Sequence, residues 1–170
     1  MRGGALAAQG QGAVGTAQMR QGLAAYQATG SERHWPYYLA LLADAYGSRG
    51  QTAEGLSLLA EALAPMGRPG ERGWVAELHR LQGELLLAQA GDRHRVPEVE
   101  TCLHQALDVA RHQQATSWEL RAAMSLARLW QRQGKRQEAY DLLTPVYCWF
   151  TEGFDTADLQ EAKALLEGLA

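Results

Sequence analysis

The chain of 170 residues contains no isoleucine and no asparagine, and valine occurs only six times. The β-branched residues that favour strands are therefore scarce. Cysteine is limited to Cys102 and Cys148, too few for a disulfide framework, and a reducing cytoplasm is the expected compartment. No apolar run approaches the roughly 18 residues that a membrane span needs. The longest, Tyr37 to Ala43, stops at Asp44. The opening MRGGALAAQGQG lacks the basic-then-apolar order of a signal peptide. A formal charge of −3 gives no electrostatic footprint for nucleic acid.

Recognisable chemistry is also sparse. There is no P-loop, no H-E-x-x-H, no G-x-S-x-G and no paired CxxC. Neither catalytic residues nor cofactor or metal ligands are assigned, and the expectation is a protein that is not an enzyme. Gly10-Gln-Gly12-Ala-Val-Gly15 spells G-x-G-x-x-G. A dinucleotide site needs a strand before that motif, and helical sequence precedes it here. His104, Asp108 and His112 form one stripe on a helix, a spacing a metal could use, but the repeat register places them on a solvated outer side. Cys102 and Cys148 read as small packing residues.

What is abundant is alanine (29) and leucine (25), about a third of the chain. Both lead the helix-propensity scale, so the composition predicts an all-α fold. Repeats then decide its architecture. LADAYGSRG (Leu42 to Gly50) parallels LARLWQRQG (Leu126 to Gly134), and each is followed by a second helical run, QTAEGLSLLAEAL or KRQEAYDLLTPVY. Glycines at positions 10, 50, 91 and 134, and tryptophans at 35, 74 and 118, mark a period of about 40–42 residues.

Each unit reads as helix, short turn, helix. Leu39, Leu42, Ala43 and Tyr46 share one helix face, as do Ala123, Leu126, Ala127 and Trp130. Leu56, Leu59 and Leu63, and later Ala139, Leu143 and Val146, do the same in second helices. Glycine between the helices supplies a left-handed C-cap. Thr116 with Glu119 has capping-box spacing, and Pro36 suits a first helical turn. The expected units are about 2–28, 35–65, 74–113 and 118–150, with a capping helix over about 156–168. They form a single repeat domain.

Leu39-x2-Leu42-Ala43-x2-Tyr46 and Ala139-x3-Leu143 carry the tetratricopeptide (TPR) pattern, with small residues at Ala43, Gly83 and Ala127 where paired helices approach closely. The chain resembles a TPR region, more than the HEAT repeats that share its longer period. The segments GLAAYQATGSERHWPYYLALLADAYGSRGQ, ERGWVAELHRLQGELLLAQ and TEGFDTADLQEAKALL are similar to the C-terminal repeats of large bacterial cyclase/ATPase or transcription-regulator signalling proteins. The resemblance implies a right-handed α-α superhelix, a TPR-like solenoid of about four helix pairs plus a C-terminal capping helix. It also implies a scaffold role: a non-enzymatic interaction module, the regulatory repeat segment of a signalling protein, taking a protein or peptide in its concave groove. The alternative is a small-ligand or peptide sensor that regulates attached catalytic or DNA-binding modules.

First helices line the concave side of such arrays. The register places Tyr37, Ala40, Asp44 and Ser48, then Glu77, Arg80 and Glu84, then Arg121, Met124, Arg128 and Arg132 on that side. The groove candidates are Tyr37, Asp44, Arg80, Glu84, Arg121, Arg128 and Arg132. Arginine forks suit carboxylates, so an acidic peptide is the expected partner at the basic C-terminal end. Trp35, Trp74 and Trp118 are expected to stitch one repeat to the next. An apolar edge at Ala5, Leu6, Ala7 and Val14 reads as the exposed face of a truncated first helix, with self-association expected through it. In the last helix, Leu159, Ala162 and Leu166 are expected to pack inward.

Overall fold

The computed structural model describes residues 12–30, 34–64, 72–90 and 95–170. Among them are eight α-helices, one short 3-10 turn at Arg72–Trp74 and no strand. The helices are α1 (Gly12–Ala28), α2 (Trp35–Gly47), α3 (Thr52–Leu63), α4 (Val75–Ala90), α5 (Val96–His112), α6 (Thr116–Arg132), α7 (Arg136–Cys148) and α8 (Ala157–Leu169). The helix expected over residues 2–9 and the glycines at 10 and 91 lie outside the described residues.

Each helix packs on the next in sequence, from α1 through to α8. A second set of contacts skips one helix and joins α2 to α4, α4 to α6 and α6 to α8. Among the described residues no comparable contact joins α3 to α5 or α5 to α7. The hairpins therefore stack in chain order with one row of helices in mutual contact and the other row splayed. An adjacent-hairpin array of this kind is a helical repeat architecture.

Small residues set the spacing within hairpins. A Cβ on Gly55 of α3 would stand 3.0 Å from the Ala43 carbonyl oxygen and 2.7 Å from Leu85 Cδ1. A Cβ on Gly83 would stand 3.1 Å from Leu103 Cγ. Ala43 and Ala127 are wholly buried. The close approaches expected at Ala43 and Gly83 thus occur, and Ala127 is buried.

Among the described residues, two apolar clusters form the core. Leu39, Ala43, Leu59, Leu78, Leu81 and Leu85 make the N-terminal one. The C-terminal cluster joins α4 to α8, with Leu103, Leu107, Leu120, Leu126 and Leu143 at its centre. Helix α4 contributes to both, Leu78, Leu81 and Leu85 to one and Leu86 to the other, so it is the joint of the array. In α8, Leu159 and Ala162 are buried as expected; Leu169 is buried as well, and Leu166 is half-buried against the same core.

Among the described residues, three turns share one backbone motif. Gln51 N–H donates to the Tyr46 carbonyl at 3.0 Å, Ala115 N–H to Ala110 at 2.9 Å and Lys135 N–H to Trp130 at 2.9 Å. In each case the residue before the donor is left-handed: Gly50 (φ 74°), Gln114 (φ 54°) and Gly134 (φ 82°). This is the Schellman closure. Glycine takes that conformation freely, as expected at 50 and 134, whereas Gln114 takes it at a cost.

Two local expectations need correction. Thr116 is the first residue inside α6 rather than its cap, and the cap residue is Ala115, with no side-chain cap bond. Glu119 instead accepts a hydrogen bond from Arg111 Nε at 2.7 Å, tying α6 to the end of α5. Cys102 is buried, but Cys148 is exposed at the end of α7 and is not a packing residue. Pro36 does occupy the first turn of α2.

Candidate functional site

The row formed by α2, α4, α6 and α8 brings the expected groove residues together, but it pairs their charges. Arg80 is the centre. Its Nε lies 2.7 Å from Glu77 Oε2 and its Nη2 2.8 Å from Glu77 Oε1, a bidentate fork between residues one helical turn apart. Its Nη1 reaches Glu84, one turn further on, and Ser125 Oγ at 3.5 Å on α6. Arg80 and Glu77 are each only 7% exposed, so the pair is a buried one. Burial opposes the charge on Arg80, but the Glu77 hydrogen bonds and charge, joined by Glu84, outweigh it and hold the guanidinium protonated.

Neighbouring helices close the network. Arg121 Nη1 of α6 lies 2.9 Å from Glu77 Oε1, so one carboxylate serves two arginines. Ser125 Oγ donates to Glu84 Oε1 at 2.7 Å. Arg121 also sits over the Trp118 ring, 5.4 Å from its centroid. Arg128 Nη2 lies 2.8 Å from Glu161 Oε2 on α8. The groove is thus an interlocked set of ion pairs rather than the basic end that the register suggests. Arg132, exposed at the end of α6, has no ion-pair partner among the described residues. Asp44 stands at the edge of the row. Partial burial raises its pKa, Arg80 works against this, Glu84 adds to it, and Arg121 opposes it.

Ala40 (4% exposed) and Met124 (3%) are not groove-facing; they are packed between helices. Tyr37 belongs to an aromatic ladder across the starts of the first helices. Its ring centroid lies 4.3 Å from that of Trp74, and Trp74 lies 5.7 Å from Trp118. Trp74 and Trp118 do join successive repeats. Trp35 packs against the N-terminal core cluster, and Tyr37 continues the ladder.

Between α4 and α6, with α5 beneath, opens a cavity of about 250 Å³. Leu87, Ala88, Val99 and Leu103 give it an apolar floor and wall, while Arg128 and Arg132 stand on its rim with Glu84 and Ser125. The register identified the rim residues Glu84, Arg128 and Arg132. It missed the floor, because Val99 and Leu103 come from a second helix and read as core. Glu77 was on the expected side, but its burial was not foreseeable from its own helix; Arg121 comes from a segment over forty positions away.

The other candidates stay apart. His104, Asp108 and His112 are all exposed on α5, and among the described residues no group of three or more His, Cys, Asp or Glu side chains could hold a metal ion. Gly12 and Gly15 of the glycine motif lie in α1. Among the described residues no helix is long and apolar enough to cross a membrane.

No family model matches the chain. An uncharacterized protein of Rhizobium meliloti (strain 1021) is 32% identical over 117 residues, which make up 69% of this chain and 11% of that relative. The chain therefore spans only a small part of the relative's length.

Proposed function

We propose that the chain is a TPR-like, right-handed superhelical module without enzymatic activity, which binds a protein or peptide segment along its row of first helices. It would serve, in the cytoplasm, as the regulatory repeat segment of a bacterial signalling protein. The observation that supports this reading is the one-sided contact between α2, α4, α6 and α8. Touching first helices and splayed second helices curve an array toward the first-helix side, where solenoids bind extended partners. That side also carries the cavity rimmed by arginine.

The volume of that cavity, about 250 Å³, bears on the small-ligand alternative. Pockets for drug-sized ligands run from roughly 300 to 1,000 Å³. A space below that range suits one side chain of a larger partner better than a whole metabolite.

A photo-crosslinking residue placed at Ser48, on the first-helix row, should trap a partner segment in cell extracts. The same residue at His104 or His112, on the other row, should not. Trapping from the outer row alone, or from neither, would remove the reading. A thermal-shift response to a metabolite without any trapped protein would instead favour the sensor.

A further inference from the structure

We infer that the cavity between α4, α5 and α6 is a specificity slot for one large apolar side chain of a partner segment, with two aspartates or glutamates on the same face of that segment. The inference rests on the reading above that the first-helix face binds a protein segment. It goes beyond that reading in naming the two side-chain chemistries and their spacing.

The apolar half follows from the walls. Leu87, Ala88, Val99 and Leu103 offer hydrocarbon and no donor or acceptor side chain. A dry cavity of roughly 150 Å³ accommodates a benzene ring. The slot, at about 250 Å³, has room for a leucine or phenylalanine side chain entering from the face.

The acidic half follows from the rim. Arg128 and Arg132 are one turn apart on α6, a rise of roughly 6 Å. Alternate residues of an extended segment are spaced by roughly 7 Å, so two carboxylates at positions i and i+2 match the two guanidinium groups. The third rim charge, Glu84, is already met by Arg80 and Ser125 and leaves the excess positive. The structure also contains a stand-in for the partner's carboxylate. Glu161 of α8 holds Arg128 at 2.8 Å in an exposed pair, 39% and 59% open on the two sides. Exposed pairs of this kind are weak and exchangeable. An incoming carboxylate can therefore displace Glu161, and Arg132 waits one turn away.

The test uses terminally blocked heptapeptides with Leu or Phe at position 2 and Asp at positions 4 and 6, so that the three side chains share one face of the extended peptide, compared with the same peptides carrying Asn for Asp or Ser for the apolar residue. Binding is read by fluorescence anisotropy to the full chain. The Leu/Asp and Phe/Asp peptides should bind, and either replacement should weaken binding on the order of tenfold. Ala88→Phe, which fills the slot from an exposed helix position, and Arg132→Glu should each cause a similar loss. Glu161→Gln should tighten binding several-fold by freeing Arg128. His104→Ala on the outer row should change nothing.

Circular dichroism melting checks that each variant folds. If Ala88→Phe does not, Arg132→Glu and the peptide replacements carry the test. Peptide binding indifferent to both Ala88→Phe and Arg132→Glu would overturn the slot and leave the groove reading standing. No binding by any of these peptides would also overturn the slot; the crosslinking experiment above then decides the groove reading separately.

Discussion

Replacing Arg80 by methionine removes the centre of the charge network while keeping much of its aliphatic volume. The guanidinium makes two hydrogen bonds to Glu77, an ion pair to Glu84 and a long contact to Ser125. Its loss strands Glu77, which is 7% exposed, with Arg121 at 2.9 Å as its remaining cation. Breaking a buried pair by removing one partner costs about 3–5 kcal/mol. Because Arg121 stays, the lower end applies, about 3 kcal/mol. With a urea dependence of about 2 kcal/mol per molar, the unfolding midpoint should fall by about 1.5 M.

Glu77→Gln in the same background removes the stranded charge. The double variant should therefore recover part of the loss, with a coupling of at least about 1 kcal/mol in the cycle. Hydrogen exchange should place the weakening at α4 and α6, the helices that the network joins. An Arg80→Met midpoint within about 0.3 M of the parent, or additive single losses, would refute the idea that these charges latch one repeat to the next.

Other perturbations test the fold and its electrostatics. Gln114→Gly relieves a left-handed residue that carries a side chain and should stabilise the chain by about 0.5–1 kcal/mol, measured by urea unfolding. Gly55→Ala gains about 1 kcal/mol of helix propensity but forces a methyl against the Ala43 carbonyl oxygen and Leu85, so a net loss of about 1 kcal/mol is expected. Gly22→Ala on α1, where nothing lies within 4 Å of the new methyl, should stabilise instead. Asp44 has a native pKa raised above the usual 3.8, so its ionised form weakens the folded state at neutral pH. Between 3.8 and the raised native value the folded chain holds more protons than the unfolded chain, and this contribution to stability falls as pH rises. Asp44→Asn should raise the Tm at neutral pH, and the gain should vanish below pH 3.8.

Helix content and hairpin order were legible because they depend on local spacing. Leu39, Leu42, Ala43 and Tyr46 recur at helical intervals whatever surrounds them, and Gly50 and Gly134 mark turns that need a positive φ. The third left-handed turn was hidden because Gln114 carries no such mark. The capping box at Thr116 had the right letters, but Ala115 took the cap position and Glu119 found Arg111 instead. Charges on the groove side read as open to a partner because a register gives a face and not the distance to the next helix. Arg121, arriving from α6, is what makes a buried Glu77 and Arg80 tolerable. The slot has the same origin: Val99 and Leu103 line it only because α5 lies under the gap between α4 and α6.

Amide NMR mapping of a titration with the Leu/Asp heptapeptide tests most directly whether the first-helix row is the working face. Shifts centred on Glu84, Ala88, Ser125, Arg128 and Arg132, fading toward α2 and absent from the outer surface around His104 and His112, are the predicted result. Shifts centred on the outer surface of α3, α5 and α7 would contradict the account.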